Sequence, residues 1–154
     1  MGRKQRLRET KKNDPKCCPK PQEISKVIKS GNLKRLRKIG KFDVDKPLDG
    51  GLTPLLLASF VGNVDVVRYL TGEIHADVNQ ASTVNGTTSL FIAAQNGNLD
   101  VVRYLAGEAH ADVNQARTDD GSTPLYIAAE DGNLDMVRYL AGEAHADVNK
   151  ARTD

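Results

Sequence analysis

The sequence predicts an all-α solenoid of helix–turn–helix repeats joined by hairpin-like loops, and two observations carry that prediction. A Gly-x-Thr-[Pro/Ser]-Leu opening recurs at Gly51, Gly86 and Gly121, always 35 residues apart. Each copy continues through Gly-Asn-[Leu/Val]-Asp-x-Val-Arg-Tyr-Leu to His-Ala-Asp-Val-Asn, and residues 97–119 and 132–154 differ only at Val101/Met136 and Gln115/Lys150. A fixed period of this length marks a stack in which each unit buries its apolar face only against its neighbours. With aromatics at 5% and no Trp, the core must be built mainly from Leu, Val, Ile and Ala.

Taken in order, residues 1–20 read as a basic, flexible tail: polar, broken by Pro15 and Pro19, and without an apolar period. Pro21 can open the first helix, where a missing amide proton does no harm. Ile24, Val27 and Ile28, then Leu33, Leu36 and Ile39, form two short helical stripes separated by Ser30-Gly31-Asn32. Gly31-Asn32-Leu33 matches Gly97-Asn98-Leu99, so residues 21–50 read as a degenerate first repeat ahead of full repeats at 51–85, 86–120 and 121–154.

The full repeats share one plan, seen in the unit opening at Gly86. Leu90, Ala93 and Ala94 mark a short first helix that stops at Gly97. Asn98 is placed to cap the second helix, with Asp100 in its first turn at the positive end of the helix dipole. Val101, Val102 and Leu105 supply the buried stripe, and a polar stretch leads to the next Gly.

These residues carry a resemblance. The openings Gly51-Leu52-Thr53-Pro54-Leu55-Leu56-Leu57-Ala58, Gly86-Thr87-Thr88-Ser89-Leu90-Phe91-Ile92-Ala93 and Gly121-Ser122-Thr123-Pro124-Leu125-Tyr126-Ile127-Ala128, with Ala-Asp-Val-Asn recurring in phase, resemble the ankyrin repeat over about 130 residues. The resemblance implies an ankyrin-type α-solenoid. Three departures stand out. The family's His after Thr-Pro-Leu is Leu56, Phe91 or Tyr126. The 35-residue period exceeds the family's by an extra residue near the end of the second helix and another in the loop before the Gly. The Gly that ordinarily precedes Ala-Asp is His75, His110 or His145, so helix termination is expected to move back to Gly72, Gly107 and Gly142.

The chemistry-bearing residues point away from catalysis. Three His at equivalent positions invite a metal reading, but stacked helices lie about 10 Å apart, and a metal needs its ligands within about 2.0–2.1 Å. They read as loop residues at repeat junctions. Asp65, Asp100 and Asp135 read as helix-start residues, and no phosphate-binding glycine loop or nucleophile–base constellation is present in the sequence. No enzyme activity, metal, cofactor or small-molecule substrate is therefore expected. Cys17-Cys18 offers neither a disulfide framework nor zinc spacing. Without an apolar h-region or a run long enough to span a bilayer, an intracellular location, cytoplasmic or nuclear, is expected.

Net charge of +2 hides an asymmetry: residues 1–50 carry 16 Lys/Arg against 6 Asp/Glu, and residues 51–154 carry 6 against 14. The Lys34-Arg35-Leu36-Arg37-Lys38 run reads as the solvated face of an end repeat, with Leu36 pointing inward. Together with Arg3, Lys4, Arg6, Arg8, Lys11 and Lys12 it also admits contact of the basic head with nucleic acid or an anionic membrane while the repeats recruit a protein. Steep loss of binding with salt, removed by deleting residues 1–20, would mark that alternative.

The resemblance implies a monomeric, non-enzymatic module, a scaffold or adaptor that holds another protein on a concave face formed by loop tips and first helices. Carried over position by position, that face comprises Leu52, Phe60 and Val61; Val84, Asn85, Thr87, Gln95 and Asn96; and Asp119, Asp120, Ser122, Glu130 and Asp131. It runs from apolar through amide to acidic, so the expected partner segment has an apolar anchor near Phe60 and basic residues reaching 119–131.

The sequence stops one or two residues before another Gly-Ser-Thr-Pro would begin, which reads as a fragment or a short array. The last repeat lacks one stabilising neighbour, so hydrogen exchange is expected to show residues 125–145 less protected than 90–110. Reversed protection would contradict a nearest-neighbour stack.

Overall fold

A computed structural model describes residues 19–39, 42–48 and 50–150. Every element among them is helical, with no strand. Helices α1 (Pro21–Lys29) and α2 (Leu33–Lys38) form the first pair. Then come α3 (Pro54–Val61) and α4 (Val64–Arg68), α5 (Ser89–Gln95) and α6 (Leu99–Arg103), and α7 (Pro124–Glu130) and α8 (Leu134–Arg138). Residues 1–18, which contain most of the basic tail and Cys17-Cys18, lie outside the described residues.

The recurring motif residues build each pair locally. Thr53, Thr88 and Thr123 are buried N-caps: their hydroxyls accept from the amides of Leu56, Phe91 and Tyr126 at 3.3, 3.2 and 3.2 Å. Pro54 and Pro124 follow at the first helical position, where φ is already helical and no amide proton is needed. Gly62, Gly97 and Gly132, at φ +82°, +71° and +69°, turn the chain between the two helices.

Second-helix endings depart from the sequence expectation. Helical structure does not stop at Gly72, Gly107 and Gly142. A π-helical turn continues each helix through Tyr69–Glu73, Tyr104–Glu108 and Tyr139–Glu143, and the amides of Ile74, Ala109 and Ala144 donate to the carbonyls of Tyr69, Tyr104 and Tyr139. A π turn holds one residue more than an α turn, which accommodates the extra residue of the long period near this point. The left-handed reversal then falls on His75, His110 and His145, at φ 62°, 57° and 55°. The place a glycine would fill is kept, and histidine occupies it.

One core runs the length of the array. Ile24, Val27, Ile28 and Leu36 enter it from the first pair, confirming the inward Leu36 between exposed cations. Leu55, Val66, Val67 and Leu70 follow, then Leu90, Phe91, Ala93, Ala94, Val102 and Leu105, and Ile127, Ala128, Met136 and Leu140. At the last repeat the cover thins. Leu125, Tyr126 and Val137 are half-buried and Ala129 is exposed, whereas Leu90, Phe91, Val102 and Ala94 at the equivalent positions are buried.

Polar ladders stitch the repeats together. The amides of Asp77, Asp112 and Asp147 donate to Oδ1 of Asp45, Asn79 and Asn114 in the preceding repeat, at 3.0, 2.8 and 2.8 Å. Within each loop the Asp carboxylate takes the amide two residues on, as Asp77 does from Asn79. The recurrent Ala-Asp-Val-Asn is therefore an inter-repeat clasp, and Asp43-Val44-Asp45 performs it in the first repeat. Asn98 departs from its expected role. Its Nδ2 donates to the carbonyls of Ser59 and Phe60 one repeat back, at 2.9 and 3.1 Å, and its side chain does not cap α6. Asn63 and Asn133 do cap their own helices.

Candidate concave interaction face

First helices α1, α3, α5 and α7 pack on one another in sequence, and these are the larger contacts between repeats; the second helices touch their counterparts less. This row of first helices is the one that the ankyrin resemblance assigns to the concave side. Their C-terminal ends sit just before the left-handed glycines and present Phe60-Val61, Gln95-Asn96 and Glu130-Asp131.

Phe60 is 50% and Val61 38% exposed, an unusual state for a phenylalanine at the end of an otherwise buried helix. Gln95, Asn96, Glu130 and Asp131 are exposed as well. Asn96 Nδ2 closes on the Ile92 carbonyl at 2.7 Å, and Glu130 receives a long 3.4 Å hydrogen bond from the Tyr126 hydroxyl. At the loop tips Val84 is 84% exposed.

Other expected face residues turn inward. Thr87 and Ser122 are buried, at 8% and 3% exposure, and so do not belong to the open face. Thr87 donates its hydroxyl to Asn85 Oδ1 at 2.8 Å, and that oxygen also takes the Thr87 amide. Half-buried Asn85 is therefore a turn-former, and its carbonyl receives the Thr118 amide of the next loop. Leu52 packs against the core, and its carbonyl accepts from Leu48. Asp119 and Asp120 are not free acids awaiting a partner. Arg117 is ion-paired with both, and Asp120 also accepts from the Ser122 amide. The acidic end of the face thus contracts to Glu130-Asp131.

One member of the face was readable from the Gly31/Gly62 correspondence and was missed. Counting back from those glycines, Lys29-Ser30 occupies the positions of Phe60-Val61 at the end of α1, and both are exposed. The column therefore starts from a cation.

The opposite side is organised around Arg, Tyr and Glu. Arg68 donates to Glu108 through both terminal nitrogens at 2.7 and 2.6 Å and lies 4.3 Å from the Tyr104 ring centroid. That fork of hydrogen bonds holds the Glu108 carboxyl below its usual range and raises Arg68. Arg37 repeats the arrangement with Glu73 and Tyr69, and Arg103 lies over Tyr139. Burial, aided by nearby Glu73 and Glu143, raises the Tyr69 and Tyr139 hydroxyls. The Tyr104 hydroxyl meets Thr71 at 2.7 Å, and the Tyr139 hydroxyl donates to the Arg103 carbonyl. Arg37, Arg68 and Arg103 thus tie each repeat to the next through these groups, and the strict recurrence of Arg-Tyr-Leu-x-Gly-Glu was the sequence signal for it. In the last repeat Arg138 pairs, among the described residues, only with Asp135 of its own helix.

Among the described residues no cluster of His, Cys, Asp or Glu is arranged to hold a metal, and no helix is long and apolar enough to cross a membrane. The geometry is that of a helical repeat solenoid with one row of helix ends open to solvent. A family model of ankyrin repeats (3 copies) matches over residues 24–117 and 74–152, and the chain belongs to the ankyrin repeat family. No curated protein matches it. Ankyrin repeats are in general modules for protein–protein interaction and typically non-enzymatic.

Proposed function

We propose that the chain is a protein-binding scaffold or adaptor whose concave face holds one partner through an apolar anchor at Phe60-Val61. The observation that carries this reading is the exposure of Phe60 beside fully buried Ser59 on the same helix. An aromatic ring left half in water in a core this poor in aromatics is a site where burial by a partner would release free energy. The opposite side supports the same choice, since its Arg, Tyr and Glu groups are already engaged with one another.

Phe60→Ser is expected to weaken partner capture at least about tenfold, the effect of truncating an interface anchor. Because the ring is half exposed, the fold should survive with little loss. Affinity capture by the full chain and by the variant, compared by quantitative mass spectrometry, tests this. An unchanged set of captured proteins would remove Phe60 from the interface and the concave-face reading with it.

A further inference from the structure

The geometry points to a partner segment with a fixed electrical polarity: an acidic end at Lys29, an apolar side chain at Phe60-Val61 and a basic end at Glu130-Asp131. This rests on the concave-face reading above and specifies the chemistry of what the face takes. Four equivalent helix ends present, in stacking order, a cation with a hydroxyl, an apolar pair, two amides and two carboxylates. The cationic end is reinforced by exposed Lys26 on α1. At the acidic end Arg117 neutralises one of the two nearest loop charges, Asp119 and Asp120, and the negative charge left there adds to that of Glu130 and Asp131.

Neither end is consumed by the fold. Among the described residues Lys29 and Asp131 make no ion pair, and Glu130 has only the long bond from Tyr126. Like charges placed opposite these ends would be repelled and desolvated together, so a segment entering backward is rejected as well as less attracted.

The repeat also sets a register. Packed helices stand about 10 Å apart, and an extended chain advances about 3.3 Å per residue. Each repeat therefore spans about three partner residues. An acidic residue should lie about three positions to one side of the apolar anchor, and a basic residue about six to the other, with neutral hydrogen-bonding residues facing Gln95-Asn96.

Selection of a displayed library of random 15-residue peptides on the full chain tests this. Peptides enriched on the full chain should carry the acidic–apolar–basic order at that spacing. A charge-exchanged chain, Lys29→Glu with Glu130→Lys and Asp131→Lys, should select the reversed order and bind the original peptides about fivefold or more weakly, the difference shrinking with salt. Enrichment that Phe60→Ser abolishes but that has no charge order, or whose order survives the exchange, overturns the polarity and leaves the concave-face reading standing. Enrichment no greater than on Phe60→Ser overturns that reading itself.

Discussion

Replacing Phe91 by alanine is expected to destabilise the chain by about 3–5 kcal/mol, the range for removing a fully buried aromatic side chain. Phe91 is 1% exposed, in the central full repeat, and the Arg117 guanidinium of the following loop lies 5.4 Å from its ring centroid. Truncation would open a cavity and leave Arg117 without its apolar support. Domains of this kind are stable by only about 5–15 kcal/mol in all, so the variant should sit near its unfolding threshold at 25 °C. Because stability in a stack is roughly a sum over units and their interfaces, the damage should uncouple the repeats on either side. Urea unfolding should show an earlier, broader transition, and hydrogen exchange should report lost protection centred on residues 86–120. Tyr126→Ala is the matched control: Tyr126 holds the same position in the last repeat but is only half-buried, and should cost markedly less. Equal losses at the two sites would contradict the graded burial along the array.

Exchanging His75, His110 and His145 together for glycine is expected to stabilise the chain by about 2 kcal/mol. Each histidine holds a left-handed conformation, which costs an L-residue roughly 1–2 kcal/mol. Glycine removes that strain but brings about 0.5–1 kcal/mol of extra chain entropy to lose on folding. The balance is about 0.5–1 kcal/mol per site. The three sites lie a repeat apart, so their effects should add. Chemical denaturation of the single and triple variants checks both sign and additivity. The opposite substitution makes the contrast: Gly62→Ala, at φ +82° with its new Cβ 2.5 Å from Asn98 Oδ1, should be destabilising. It would disturb the side chain that clasps Ser59 and Phe60. A triple glycine variant less stable than the parent would mean the histidines contribute more through contacts than their backbone costs.

Much of the fold was legible because its determinants are local. Val66, Val67 and Leu70, like Val101, Val102 and Leu105, follow helical spacing, and the core contains them all. Helix endings were less legible. A glycine near a helix end normally marks where it stops, but Gly72, Gly107 and Gly142 lie inside π turns and keep negative φ, while histidine takes the left-handed position. No short-range signal distinguishes the two cases, since the outcome depends on where the next loop must dock. For the face, exposure at Phe60, Val61, Gln95, Asn96, Glu130 and Asp131 followed from their place before the left-handed glycines. Burial of Thr87 and Ser122 was hidden because a small polar residue in a loop reads the same whether it meets water or a neighbouring turn.

By itself the sequence determined the stack: a 35-residue period, apolar stripes at helical spacing, and Thr-Pro and Gly-Asn signals that open and separate helices through contacts a few residues apart. Only the tertiary structure decided which copies of a repeated residue serve their own helix and which serve the neighbour. Asn98 turns back to Ser59 and Phe60, Asn79 and Asn114 take amides of the next repeat, and Arg68 bridges to Glu108. Those choices are made between residues more than 30 positions apart, where a hydrogen bond forms only once packing has brought the two repeats into register. The same packing left Phe60 in solvent with a cation one repeat before it and two carboxylates two repeats beyond.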